Sequence, residues 1–183
     1  MAARELNITG LLVKRGAARH GDEVVSPLAH ALQCAARARA ARADDEVVLA
    51  ALLHDVGHLI SEAEDSSATH HGMWAARFLR PFVPARVAWL VEHHVMAKRY
   101  LCTVDRDYAQ SLSPASLRSW LAQGGTLDRA MLQQLERQPW LPDVLAIRRW
   151  DEAAKERGRI VADLAAYRDL LEGCFGRQTW EAG

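Results

Sequence analysis

The chain has 183 residues, half of them apolar and a quarter charged, and its 23 Lys and Arg are matched by 23 Asp and Glu. Such a composition predicts a single globular domain over residues 1–183 with a substantial core, and zero net charge excludes general attraction to nucleic acid or to an anionic membrane. Three scattered cysteines form no CxxC pair, residues 1–15 lack a signal-peptide core, and no run approaches the ~20 apolar residues of a membrane span. The expectation is therefore a cytoplasmic protein without disulfides.

The predicted fold class is all-α. Apolar residues recur at spacings of three and four, and no run alternates with period two. Ser26-Pro27 is a helix start, with Ser as N-cap and Pro at the first helical position, and predicts a helix to about residue 40. Asp44 or Asp45 starts the next, through Val47, Val48, Leu52 and Leu53 to His54, and Gly57 interrupts or ends it. A polar loop is expected over 61–67. Helices follow over 68–79, stopped by Pro81, and over 84–101. Ser113-Pro114 repeats the Ser-Pro start, and Gly124-Gly125 ends that helix. Two or three further helices are expected over 127–138, 143–155 and 160–171.

All eight histidines lie between His20 and His94, so the second half of the chain has none. The central signal is Leu53-His54-Asp55-Val56-Gly57-His58, where an apolar helix delivers an imidazole and a carboxylate side by side into the interior. A carboxylate buried there needs a cation, a metal or hydrogen-bond donors. On its own the pair also fits a helix end, with Asp55 as cap and His54 in the core. His30 lies on the apolar side of an upstream helix, the pairs His70-His71 and His93-His94 sit on two later ones, and Asp151 follows Trp150 on a fourth. In order these read H…HD…H…H…D. Imidazole with carboxylate suits iron, zinc or manganese, so ligand type alone does not select the metal. Lys98 is one turn beyond His94, Arg148 is three residues before Asp151, and Ser116 sits in the first turn after the Ser113 cap, where an anion is favoured.

With these residues the sequence resembles the HD-domain proteins. More narrowly, it resembles the phosphonate-cleaving HD oxygenases of the PhnZ type, over residues 20–155. The narrower likeness rests on Val25-Ser26-Pro27-Leu28-Ala29-His30-Ala31-Leu32-Gln33-Cys34 and on His94-Val95-Met96-Ala97-Lys98-Arg99-Tyr100-Leu101. It rests also on Leu112-Ser113-Pro114-Ala115-Ser116 and Arg148-Arg149-Trp150-Asp151. The resemblance implies an HD helical bundle with two irons in its core. His30, His54, Asp55 and Asp151 would hold one, and Asp55, His71 and His94 the other, with Asp55 bridging. His71 rather than His70 matches the family's helix through Ala75 and Leu79. His94 rather than His93 stands four residues before the family's lysine, here Lys98. Lys98, Ser116, Arg148 and His58 would contact a phosphonate group, and Glu23 an amino group on the substrate.

The sequence departs from the family pattern at two places. A tyrosine stands three residues before the glutamate in related enzymes, gating an iron until substrate arrives; here that position is His20. Pro27 replaces the family's usual glutamine. The implied reaction is oxidative cleavage of the carbon–phosphorus bond of a 1-hydroxyalkylphosphonate by a mixed-valence Fe(II)/Fe(III) pair with O2 as co-substrate, giving a carboxylic acid and inorganic phosphate. The partner is thus a small organophosphonate. The runner-up is a hydrolytic HD phosphatase or nucleotidase using the same ligands with a metal-bound water, and a non-catalytic binding or regulatory module is the third reading.

Overall fold

The computed structural model describes residues 7–17, 24–60 and 70–176. Among them every regular element is helical. The order is α1 (Ile8–Gly16), α2 (Pro27–Ala40), α3 (Asp45–Leu53), α4 (Gly57–Ile60), α5 (His71–Leu79), α6 (Ala85–Val104), α7 (Arg106–Ser111), α8 (Pro114–Ala122), α9 (Arg129–Glu136) and α10 (Leu141–Ala153). A 3-10 turn (Leu164–Tyr167) then leads into α11 (Arg168–Phe175). The expected loop over 61–67 lies outside the described residues.

Local chemistry sets the starts of the helices that matter. Ser26 stays extended and its hydroxyl accepts from the Ala29 amide, while Pro27 opens α2. Asp44 accepts from the Val47 amide at the start of α3, and Ser113 accepts from the Ser116 amide at α8. Each cap satisfies an amide that the helix leaves without a partner, worth about 1 kcal/mol. Every residue of α3 from Val47 to Leu53 is buried, so this helix is wrapped by the others on all sides.

The long helix α6 is the axis of the bundle. It packs against α5, α3 and α10, and α2 closes the group by packing on α3 and α10. One hydrophobic cluster runs from Ile8 and Leu12 of α1 through α3 and α6 to Leu171 and Phe175 of α11. Arg86, in the first turn of α6, reaches both Asp44 at the head of α3 and Asp143 in the first turn of α10, at 2.9 Å each. Three helices are thus tied together at their first turns, and all three carry polar residues toward one cavity further along.

Three expectations are corrected. The helix expected over 160–171 is absent at its start: Ile160 is 93% exposed, and regular structure resumes only at Leu164. Gly158, with φ +72°, turns the chain after α10, and the buried stripe is Leu164, Tyr167, Leu171 and Phe175. Three short helices, α1, α4 and α7, were not expected. The helix over 84–101 extends to Val104, and the others differ from expectation by a few residues at their ends.

A candidate dinuclear metal centre

α3 ends at Leu53 so that His54 and Asp55 fall in the turn before α4, directly over the core. His54 is fully buried. Its Nδ1 hydrogen-bonds the Ala51 carbonyl at 2.8 Å, and His30 Nδ1 hydrogen-bonds the Ala154 carbonyl at 2.9 Å. A carbonyl only accepts, so both imidazoles donate from Nδ1 and turn Nε2 toward the cluster, where it can ligate an ion. Those two Nε2 atoms face each other at 3.2 Å. Asp151 Oδ1 lies 3.0 Å from one and 3.7 Å from the other, and Asp55 Oδ2 lies 3.6 and 3.4 Å from them. Four lone-pair donors converging on one point repel unless a cation sits between them. A metal ion meets that need, and the imidazole–carboxylate donor set fits it.

The other oxygen of Asp55 serves a second pair. Oδ1 lies 3.5 Å from His71 Nε2 and 3.4 Å from His94 Nε2, and those nitrogens are 2.8 Å apart. His94 Nδ1 is bonded to the Val91 carbonyl, which again leaves Nε2 facing inward. Two clusters that could each hold an ion, His30–His54–Asp55 and Asp55–His71–His94, share Asp55 alone. The neighbouring histidines point elsewhere: His70 is exposed, and His93 stacks on Trp89 at 4.0 Å.

The electrostatics of the cluster follow from burial. Burial disfavours the charged form of His54, but Asp55, Cys34 and Asp151 together outweigh it and raise the imidazole well above its usual pKa. Burial likewise penalises the Asp55 and Asp151 carboxylates, yet His54, His71 and His94 together around Asp55, and Arg148, His54 and His30 around Asp151, keep both well below the carboxylate range. For His94 burial prevails and pushes the pKa down to about 4.

The cluster forms part of the wall of a cavity of about 560 Å³, a volume suited to a small molecule. His58 lines it and stacks on His71 at 4.1 Å; burial holds its pKa down to about 4, a neutral imidazole. Lys98, Ser116 and Arg148 also line it, with the apolar Val25, Pro27, Val95 and Ala115. Lys98 is buried on the same face of α6 as His94, and burial lowers its pKa to about 8. Arg148 is held on three sides, by the Tyr108 hydroxyl at 2.7 Å, by Asp151 and by Glu152. The structure therefore brings His30, His54, Asp55, His58, His71, His94, Lys98, Ser116, Arg148 and Asp151 to one place. His20 and Glu23 lie outside the described residues.

A profile of the HD domain matches residues 28–164. The chain belongs to the HD-domain family. A Gimesia maris protein named hydroxymethylphosphonate dioxygenase is 40% identical over 160 residues, 84% of this chain and 80% of the relative. A Leisingera caerulea protein named for 1-hydroxy-2-(trimethylamino)ethyl phosphonate, a glycine-betaine-forming dioxygenase, is 36% identical over 153 residues, 81% of this chain and 78% of the relative. No helix of this HD protein, among the described residues, is long and apolar enough to cross a membrane.

Four cavity or support residues of this HD protein went unmarked in the sequence. Ser119 lies one turn after Ser116 on α8 and accepts from Lys98 at 2.7 Å. Lys155 lines the cavity and reaches Ser116 at 2.7 Å. Glu152 and Tyr108 support Arg148. The spacings Ser116–Ser119 and Arg148–Glu152 were visible as one-turn repeats; Lys155 and Tyr108 depend on which helices meet.

Proposed function

We propose that this HD protein is a di-iron oxygenase that cleaves the carbon–phosphorus bond of a 1-hydroxyalkylphosphonate. The observation that carries the reading is the pair of donor clusters sharing Asp55 and opening on a cavity that also presents Lys98 and Arg148. The named activities of both relatives support the same reaction class. In the overall reaction, the hydroxyphosphonate dianion and O2 give a carboxylate, hydrogen phosphate and one proton. His30, His54, Asp55 and Asp151 would hold one iron, and Asp55, His71 and His94 the other. Bound iron would supply the one-electron chemistry that dioxygen requires.

The rest falls to the chain's own groups. Lys98 and Arg148 hold and neutralise the doubly negative head, and the turn of α6 between His94 and Lys98 sets it beside the metal cluster. Asp151 is fixed by Arg148, so anion site and metal site share one hydrogen-bonded network. The neutral His58 offers a ring nitrogen at the cavity wall for a phosphonate oxygen. Val25, Pro27, Val95 and Ala115 give the substituent an apolar surface.

The test is anaerobic iron loading followed by exposure of a panel of 1-hydroxyphosphonates to oxygen. Phosphate release that requires oxygen is expected. Oxygen-independent release from phosphate monoesters, with none from hydroxyphosphonates, would overturn the assignment in favour of hydrolysis.

A further inference from the structure

Ser116 and Ser119 lie on one face of α8, and each hydroxyl has a single proton to give. The Ser116 hydroxyl donates to Glu152 at 2.6 Å, and the Ser119 hydroxyl donates to the Ser116 carbonyl at 3.1 Å. Both protons are committed within the protein. Each oxygen accepts instead from a lysine: Lys98 meets Ser119 and Lys155 meets Ser116, both at 2.7 Å. The two ammonium groups arrive from different elements, α6 and the segment that follows α10, and flank the serine face along the cavity wall.

Glu152 anchors the Lys155 side. Its carboxylate accepts from the Ser113 amide at 2.9 Å, from Ser116, from Arg148 and from Lys155 at 3.2 Å. Every donor in reach is fixed to a carboxylate that cannot turn away without breaking several bonds. An ammonium has three N–H groups. Two of those on Lys155 are held closely by Ser116 and Glu152; its remaining contact, to the Ser113 hydroxyl, is long at 3.4 Å. That third N–H is the one an anion in the cavity can take.

The geometry points to Lys155 as a direct phosphonate-binding residue, with Ser116 and Glu152 positioning it rather than touching the substrate. The doubly negative head then lies between two ammonium groups, Lys98 and Lys155. This inference rests on the phosphonate reading above and assigns to Lys155 the contact that the family resemblance gives to Ser116.

The experiment is equilibrium binding of methylphosphonate, which lacks the 1-hydroxyl, to the metal-loaded protein without oxygen, with metal content measured on every variant. Lys155→Gln is expected to weaken binding on the order of tenfold to a hundredfold with metal retained, and Lys155→Arg to recover most of the loss. Ser116→Ala should weaken binding less, and should add nothing in the Lys155→Gln background, because it acts through Lys155. Binding by Lys155→Gln within about twofold of wild type, loss of its metal, or full additivity of the two changes would each overturn the proposal. Wild type that binds methylphosphonate but releases no phosphate from hydroxyphosphonates with oxygen would sink the reaction and leave Lys155 standing. Normal turnover by wild type with unimpaired binding by Lys155→Gln would sink Lys155 alone.

Discussion

Lys98 shows how burial tunes one side chain for its task. Loss of water, reinforced by the charge of Arg148, lowers its pKa to about 8, so the free protein loses this positive charge as the pH rises through that value. A phosphonate dianion binds the charged form. The catalytic efficiency kcat/KM, which reports the free enzyme, should therefore fall as pH rises through about 8. Lys98→Arg keeps its charge across the accessible range, and its profile should lack that falling limb even if its rate is lower. A limb that persists unchanged in Lys98→Arg would show that another group is responsible.

At the scale of the elements, the turn between α3 and α4 matters most. A Cβ on Gly57 would sit 2.2 Å from the His71 carbonyl oxygen and 2.8 Å from its carbon. Both atoms are backbone and cannot swing aside. Gly57 is thus a matter of clearance: it lets α4 touch the start of α5 so that His71 reaches Asp55. Gly57→Ala should cost about 1–3 kcal/mol of stability through overpacking. It should also release the metal held by Asp55, His71 and His94 before the other. Thermal melting and elemental analysis check this; an unchanged melting temperature with full metal content would refute it. The helices that could be read in advance were those with chemical punctuation, such as the Ser-Pro starts of α2 and α8. α1 escaped because its nine residues include two glycines and β-branched residues, which are weak helix formers. α7 is only six residues long, too short to show a period, though Asp105 caps it by accepting from the Tyr108 amide. Ile160 misled because an apolar residue three or four places ahead of an apolar stripe looks like its first turn.

For the whole molecule, the histidines and Asp55 were legible because buried charge in an apolar context has few explanations. Choosing His71 and His94 over their neighbours rested on the family resemblance, through Ala75 and Leu79 after the one and Lys98 four residues after the other. Tyr108 beside Arg148 and Lys155 beside Ser116 were not legible, since those contacts form only after α7, α8 and α10 have packed; Glu152, one turn beyond Arg148 on α10, was open to the same spacing argument as Asp151. That packing is governed partly from a distance. His54 lies ten residues beyond Asp44, His94 eight beyond Arg86, and Asp151 eight beyond Asp143, so the metal cluster stands about 12–15 Å along three rods from the Arg86 tie. Such a tie acts as a pivot. A tilt of about 5° there displaces the far ends by about 1 Å, beyond the ~0.5 Å that a constellation of this kind tolerates. Arg86→Met leaves every donor in place, yet it should speed loss of metal to a chelator several-fold; an unchanged rate would mean the rods are held elsewhere. Asp44 and Asp143 are partly open to solvent, so added salt weakens the pivot. Metal loss from the wild type should then quicken with ionic strength, and that of Arg86→Met should not.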